Sequence, residues 1–550
     1  MSDFKDKVVY QIYPRSFYDT NGDGFGDLKG VTKKLDYLKD LGVDYIWLTP
    51  FFISPQRDNG YDIADYRQID PRFGTMSDFE ELSAEASKRG IGLMLDMVFN
   101  HTSTEHEWFK KALAGDKKYQ DYYIFVEGSE NVPPTNWVSK FGGNAWKYED
   151  GLKKWYLHLF DVTQADLNWK NPEVRKELKD IIRFWKDKGV SGFRFDVINL
   201  ISKPDSLEND YEGDGRRFYT DGPKMDEYLK ELVKDTGIED MITVGEMSST
   251  TIANCINYAN PDEKELSMVF SFHHLKVDYK NGDKWQLMPY DKQALKNIFK
   301  DWQEQMAKAN SWNAVFWTNH DQPRTISRFG DEGKYWKESG KLFAGLIHLM
   351  RGTPYIYQGE EIGMLNTHFT DISQYKDVES LNYYNILIEQ GKTKSEALKI
   401  INERSRDNCR TPMQWDNTKN DGFSTGEPWI EVPEFGKSIT VESQLNDEDS
   451  ILAFYKKLIR LRKENKIISH GNIKFFTDVP EQVMCYERAL GDEKWVILGN
   501  MSAEKIVVSQ DSEINQKLGG KRIIIGNYVN TGKYNGNELE LKPFEFVVFG

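Results

Sequence analysis

"PEVRKELKDIIRFWKDKGVSGFRFDVI", residues 172–198, changes its periodicity part-way along. Residues 172–189 have the apolar spacing of an amphipathic helix, and "GFRFDVI" (192–198) is an apolar run of strand length. The same alternation recurs, in both directions, over the first 360 or so residues. The other strand-length runs are "VVYQIYP" (8–14), "YIWLTP" (45–50), "GLMLDMVFN" (92–100), "MITVGEM" (241–247), "MVFSF" (268–272), "AVFWTNH" (314–320) and "TPYIYQGEE" (353–361). Most are separated by amphipathic segments such as "LKGVTKKLDYLKDLG" (28–42). Buried strands alternating with helices predict βαβ units and a parallel sheet. Eight such units in this length predict a (β/α)8 TIM barrel, an α/β fold. A doubly wound open sheet is the structural alternative, weakened because no GxGxxG follows the first strand.

One gap in the rhythm is long. From Asn100 to about Asn171 there is no regular βα alternation, and "NVPPTNWVSKFGGNAWKYEDG" (131–151) is rich in Gly, Asn, Trp and Tyr. An insertion after a barrel strand sits at the C-terminal face and shapes the active site. After residue 468 the short runs "NIKFFT" (472–477), "QVMCYER" (482–488), "KWVILGN" (494–500), "KIVVS" (505–509), "KRIIIGN" (521–527) and "FEFVVFG" (544–550) predict a C-terminal antiparallel β-sandwich. The expected division is a barrel over 1–100 and 172–467, an inserted domain over 101–171 and the sandwich over 468–550.

The composition bounds the function classes. At 550 residues the chain is too long for one ordinary domain. It is 39% hydrophobic and 29% charged, as soluble globular proteins are. Aromatic residues make up 13%, with 15 Trp, which suits stacking on sugar C–H faces and also the filling of large cores. A formal net charge of −15 and a pI of about 5.3 argue against a nucleic-acid or anionic-membrane partner. No signal-peptide h-region opens the sequence, and no run of eighteen apolar residues offers a membrane span. The three cysteines, Cys255, Cys409 and Cys485, make no CxxC pattern and no disulfide framework. The expectation is a cytoplasmic protein, monomeric or weakly oligomeric, with no nucleic-acid or membrane partner.

Polar residues at the C-terminal ends of barrel strands are the catalytic candidates. Strand 3 carries Asp96 and ends in Asn100-His101, strand 4 holds Arg194 and Asp196, strand 5 ends with Glu246, and strand 7 ends with Asn319-His320-Asp321. One such acid alone is more often an exposed loop residue. Three acids on three strands, with Arg194 two residues from one of them, suit glycoside hydrolysis. Arg194 and Asp196 share one face of the strand, so the guanidinium favours an ionised Asp196. Glu246 then becomes the candidate acid, its pKa expected to rise in a dry, acidic pocket.

Four short regions, "DMVFNH" (96–101), "GFRFDVIN" (192–199), "GEM" (245–247) and "NHDQPR" (319–324), resemble those of the α-amylase family of retaining glycoside hydrolases, over the whole chain. The resemblance implies a (β/α)8 barrel, an inserted domain after strand 3 and a C-terminal sandwich. It implies Asp196 as nucleophile, Glu246 as acid/base and Asp321 as the residue binding the distorted sugar. It also implies that His101, Arg194 and His320 hold the glucose whose bond is cut. "NGYDIADY" (59–66), "FDVTQADLNW" (160–169), "SRDNCRTPMQW" (405–415) and Val197 after the nucleophile are similar to the oligo-1,6-glucosidase branch. By that likeness Asp58, Tyr61 and Arg410 close the pocket around a non-reducing glucose, with Phe141, Phe160 and Gln164 as further substrate contacts.

Two stretches depart from that branch: "GEMSSTT" (245–251) and "HHLKVDY" (273–279). Both resemble the family members that split α,α-trehalose 6-phosphate into glucose and glucose 6-phosphate. The second lies in "MVFSFHHLKVDYKNGDKW" (268–285), which gathers His273, His274, Lys276, Lys280 and Lys284 in an acidic chain. A phosphate monoester carries about −1.5 to −2 charge at pH 7 and needs local cations to offset the field. The expected partner is therefore a sugar phosphate, with Lys276 and Lys284 first among its phosphate ligands and His273 or His274 assisting; Lys280 reads as solvated. The nearest rival is an oligo-1,6-glucosidase or α-glucosidase on unphosphorylated sugars. A sugar isomerase or transglycosylase of the family would share the covalent intermediate. A non-catalytic amylase-like subunit of an amino-acid transporter would lack the intact carboxylates and carry a membrane anchor.

"DTNGDGFGDLKG" (19–30) copies the first nine positions of an EF-hand loop, through Asp19, Asn21, Asp23, the Phe25 carbonyl and Asp27, but ends on Gly30 where the bidentate Glu belongs. It is not an EF-hand. Its hard oxygen ligands still suit a structural Ca2+ or Mg2+, with no metal needed for catalysis. The alternative is an acidic turn without an ion. The segment 371–400 reads as helices after strand 8 that could roof the pocket.

Overall fold

The structure, a computed structural model, describes residues 4–435, 438–508, 513–531, 533–534 and 538–550. Eight parallel strands close a barrel: β1 Val9–Ile12, β2 Tyr45–Leu48, β3 Gly92–Met97, β4 Gly192–Phe195, β5 Ile242–Met247, β6 Met268–Ser271, β7 Asn313–Val315 and β8 Thr353–Tyr357. Each pairs with its sequence neighbours, and β8 pairs back onto β1, so no edge is left open. All eight predicted runs hold a barrel strand, and the TIM-barrel expectation stands.

The strands form because their runs are apolar on both faces, as a sheet covered by helices requires. The helix Pro172–Asp187 shows how the cover is built. Asn171 caps it by accepting from the Glu173 N–H, Pro172 takes the first position, and Val174, Leu178, Ile181, Ile182 and Trp185 make the buried stripe. Burying side chains of this size is worth about 1.5–3 kcal/mol each. Trp185 reaches Phe51, Phe52 and Phe79 at ring separations of 5.9, 5.3 and 5.0 Å. The segment read as one helix over 28–42 is two, Leu28–Lys33 and Leu35–Leu41, interrupted where Lys34 leaves helical geometry at ψ 6°.

The chain between β3 and β4 carries its own small sheets. His101–Ser103 pairs antiparallel with Gln164–Asp166, and Phe125–Glu127, Lys154–Leu157 and Trp146–Glu149 form a three-stranded sheet. After β8, helices Val378–Glu389 and Lys394–Arg404 lead into the turn Arg406–Cys409. Near the C-terminus a five-stranded and a three-stranded antiparallel sheet share a core of Val483, Cys485, Val496, Leu498, Leu539 and Val547 among others. The last residue of the run at 505–509, Ser509, lies outside the described residues. Among the described residues no helix is long and apolar enough to cross a membrane.

Candidate active site

The barrel's register brings the strand-end acids together. Arg194 on β4 lies opposite Asp96 on β3, and Phe195 lies opposite Gly245 on β5, so Asp196 and Glu246 follow side by side at the mouth. Val197 then turns the chain in the left-handed region, at φ 36° and ψ 40°. For a β-branched residue that conformation costs on the order of 1–3 kcal/mol, and it sits directly after Asp196, where strain is held by the surrounding fold.

Arg194 is the hub of this group. It is 1% exposed, and its Nη1 lies 2.6 Å from Asp96 and 2.5 Å from Asp196, while its Nη2 donates to Glu246. Burial works against the charged guanidinium, but Asp96 and Asp196 outweigh it and hold Arg194 cationic. Asp96 is tied down further by donors from Tyr61 Oη at 2.9 Å and Trp47 Nε1 at 3.1 Å. One fixed cation thus orients two carboxyl groups toward one cavity. Their shared guanidinium keeps them close to one another.

Asp321 anchors the opposite wall. It accepts from Arg410 Nη2 at 2.7 Å, with Arg406 Nη1 at 3.5 Å and His320 Nε2 at 3.3 Å. Burial would raise its carboxyl, but His320, Arg406 and Arg410 hold it well below the usual carboxylate range. Burial pulls the His320 imidazole itself down, to about 3, against the opposing pull of Asp321. The His320 ring stacks on Tyr61, 5.1 Å away and nearly coplanar at 3°. Asp58 closes the far end. It accepts from Arg406 Nη2 at 2.8 Å and Gln164 Nε2 at 3.0 Å, and burial pushes its carboxyl up to about 7 against the pull of Arg406 and Arg410.

A cavity of about 170 Å³ lies between these walls, lined by Asp58, Tyr61, His101, Phe141, Phe160, Asp196, Val197, Glu246, Lys284, Asp321, Gln322, Glu379 and Arg406. His101 Nε2 lies 3.2 Å from Gln164 Nε2, and its ring lies 5.1 Å from Phe160. Acidic walls and aromatic faces suit a sugar that develops positive charge, since fixed dipoles and charges act most strongly in a water-poor cleft. A separate cavity of about 280 Å³, bordered by Phe4, Thr243 and Glu265, includes none of these acids.

The cationic stretch after β6 divides. Lys284 lines the cavity and pairs with Glu379 at 2.6 Å. His274 is buried, its Nε2 2.9 Å from the Phe316 carbonyl, and packs on Phe299 and Phe316. His273 packs on Trp302, at 4.9 Å. Lys276 carries no ion pair among the described residues. The structure therefore brings Lys284 to the cavity wall and leaves His273, His274 and Lys276 outside its lining.

In the 19–27 loop the carboxylates are engaged by the loop itself. Asp19 accepts from the N–H groups of Asn21, Gly22 and Gly24 and from Ser424 Oγ, Asp23 accepts from Phe25 N–H, and Asp27 accepts from Thr20 and caps the next helix at Gly30. Among the described residues no three acidic, histidine or cysteine side chains form a cluster able to hold a metal.

The sequence profile described as "Alpha amylase, catalytic domain" matches residues 11–471. The chain belongs to the α-amylase family. It is a glycoside hydrolase by that membership. Trehalose-6-phosphate hydrolase of Bacillus subtilis (strain 168) is 51% identical over 550 residues, 99% of this chain and 98% of that protein. Oligo-1,6-glucosidase of Parageobacillus thermoglucosidasius is 45% identical over 555 aligned residues, covering 99% and 98%. The crystal structure of Bacillus licheniformis trehalose-6-phosphate hydrolase superposes with a TM-score of 0.94 at 51% identity, covering 99% of both chains.

Sequence reasoning missed part of this α-amylase-family site. Arg406 binds Asp58, Asp377 and Asp321 at once, at 2.8, 2.6 and 3.5 Å, and lies 3.6 Å from Glu379. It stands in "SRDNCRTPMQW", the motif from which Arg410 was singled out. Its signal was an arginine four residues from a candidate ligand. Asp377 and Glu379, at the start of the helix Val378–Glu389, had no such signal and reach the site only through tertiary packing.

Proposed function

We propose that this chain is a retaining α-glucosidase that hydrolyses α,α-trehalose 6-phosphate to glucose and glucose 6-phosphate. The observation that carries the reading is the single buried guanidinium of Arg194 shared by Asp196 and Glu246, both of which line the cavity. The full-length likeness to trehalose-6-phosphate hydrolases supports the substrate.

In the proposed reaction Asp196 attacks the anomeric carbon while Glu246 gives its proton to the departing glycosidic oxygen. The C–O bond breaks, glucose 6-phosphate leaves, and glucose remains as an ester on Asp196. A water then loses its proton to Glu246 and opens the ester, returning both carboxyls to their starting states. Asp321, kept ionised by Arg406 and Arg410, binds the hydroxyls of the distorted glucose. Asp58, Tyr61, Gln164, His101, His320, Arg410, Phe141 and Phe160 enclose that glucose. Lys284 and Lys276 are the phosphate ligands of this reading, with His273 and His274 behind them. Because Lys284 rests on Glu379, arriving phosphate competes with that carboxylate for it.

The division into 1–100 with 172–467, 101–171 and 468–550 and a cytoplasmic setting belong to the same proposal. Three buried, unpaired thiols support the setting. A structural Ca2+ or Mg2+ held by Asp19, Asn21, Asp23, the Phe25 carbonyl and Asp27, an oxygen-only set that takes no part in the chemistry, is a further part of the proposal. Chelation is expected to lower Tm by a few degrees and leave kcat of the remaining folded enzyme intact; an unchanged Tm would leave the loop to its hydrogen bonds.

The deciding experiment compares kcat/KM for trehalose 6-phosphate, trehalose and isomaltose. A preference of a hundred-fold or more for the phosphorylated sugar is expected. Preference for isomaltose would instead make the enzyme an oligo-1,6-glucosidase with the same carboxylates.

A further inference from the structure

Outside the deep pocket, cations gather from three segments. Lys140 comes from the insertion after β3 and immediately precedes the cavity residue Phe141. Its Nζ lies 3.1 Å from Ser248 Oγ, two residues beyond Glu246, and 5.7 Å from the Tyr219 ring. Arg216 opens the turn of helix Arg216–Tyr219, in the loop after β4. Its Nε and Nη2 are taken by Asp214, at 2.9 and 2.5 Å, and its Nη1 makes no hydrogen bond among the described residues. Lys276 comes from the turn after β6.

These side chains feel one another. Burial first, then Arg216, lowers Lys276 below the usual lysine range. Burial first, then Arg216, brings Lys140 down to about 7, with Asp214 opposing and Lys276 and Lys203 adding to the fall. Of the four groups facing Lys140, Lys203 is neutralised by Asp166 at 2.7 Å and Arg216 is partly offset by Asp214. Lys140 and Lys276 carry no carboxylate partner among the described residues. In a chain of net charge −15, three cations that share one carboxylate, Asp214, are costly to hold together unless a further anion joins them.

We propose that Lys140, Arg216 and Lys276, with Ser248 Oγ, form an outer cradle that takes the phosphate of the sugar in the leaving-group position. This rests on the phosphorylated-substrate reading and deepens it. The deep pocket holds the glucose that is transferred, and the cradle reads the group on its partner. Lys140 links the two, since Ser248 and Phe141 tie it to the acid/base strand and to the pocket wall. Lys284, held by Glu379 at 2.6 Å on the cavity wall, is the ligand that the phosphate reaches only in competition with that carboxylate.

The test is the ratio of kcat/KM for trehalose 6-phosphate to that for trehalose, in the full-length protein and in Lys140→Gln, Lys140→Arg and Arg216→Gln. Losing one charge-assisted contact to phosphate is expected to cut the ratio at least ten-fold in Lys140→Gln. Arg216→Gln, at a side chain 54% exposed, is expected to cut it several-fold without disturbing the fold, and Lys140→Arg to restore most of it. Inorganic phosphate should inhibit hydrolysis of an uncharged aryl glucoside by the wild type and lose potency with Lys140→Gln. Ratios within two-fold of wild type in both Gln variants would overturn the cradle while leaving the substrate reading intact. A wild type that does not prefer the phosphorylated sugar would sink the substrate reading, and the cradle with it.

Discussion

The floor of the pocket and its rim are built on opposite principles. At the floor, each arginine has a carboxylate partner: Arg194 with Asp96 and Asp196, and Arg410 and Arg406 with Asp321. At the rim, Lys140 and Lys276 stand on loops with no carboxylate partner among the described residues. The floor is complete without substrate, so it is preorganised to stabilise charge as it develops. The rim is incomplete without an anion, so its cations act in selecting what enters. Chemistry is thereby assigned to strands and specificity to loops, the usual division on a barrel.

The comparison breaks hardest at Asp196. Asp196→Asn keeps the volume and removes the proposed nucleophile, so kcat is expected to fall by about three orders of magnitude or more for phosphorylated and plain sugars alike. Far-ultraviolet circular dichroism should be unchanged. Near-wild-type turnover in this variant would refute the assignment. The expected signature of a floor residue is this equal loss on both substrates, which a rim residue does not give.

Arg194→Met comes next. It leaves Asp96 and Asp196 buried without their cation, and stranding such a group costs about 3–5 kcal/mol. Denaturant unfolding should show that loss together with greatly reduced activity. Unaltered stability would mean that the carboxyls take up protons and that the arginine is not what keeps them charged.

How much of this was legible beforehand follows the same divide. The eight strands and their terminal acids could be read because each lies in a short apolar run with local periodicity. Arg194 and Asp196 could be paired from strand alternation alone, and the structure puts them 2.5 Å apart. Arg406 was within a quoted motif but gave no sign of touching three carboxylates. Asp377, Glu379, Lys140 and Arg216 come from segments distant in sequence from the groups they meet, and only the closed fold brings them there. The histidines of the 268–285 stretch mark the converse case. Composition grouped His274 with the lysines, but the structure buries it against Phe299 and Phe316 with its ring bonded to a backbone carbonyl. Charge content along the sequence does not say which way a side chain faces.

The smallest expected effect is also the sharpest test of the rim. Burial and the neighbouring Arg216 hold Lys140 near pH 7, so it is cationic below that value and neutral above it. Phosphate works in the other sense, gaining its second charge above about pH 6. Between pH 6 and 8 the two changes oppose each other, and KM for trehalose 6-phosphate is expected to pass through a minimum near 7 and rise several-fold on the alkaline side. Arginine does not deprotonate in this range, so Lys140→Arg should remove the alkaline rise and leave the acidic side in place. KM for trehalose should follow neither change, because that sugar brings no charge to the rim. If the alkaline rise persists unchanged in Lys140→Arg, the titrating group lies elsewhere. Lys276, also lowered by burial and Arg216, would then be the next residue to replace.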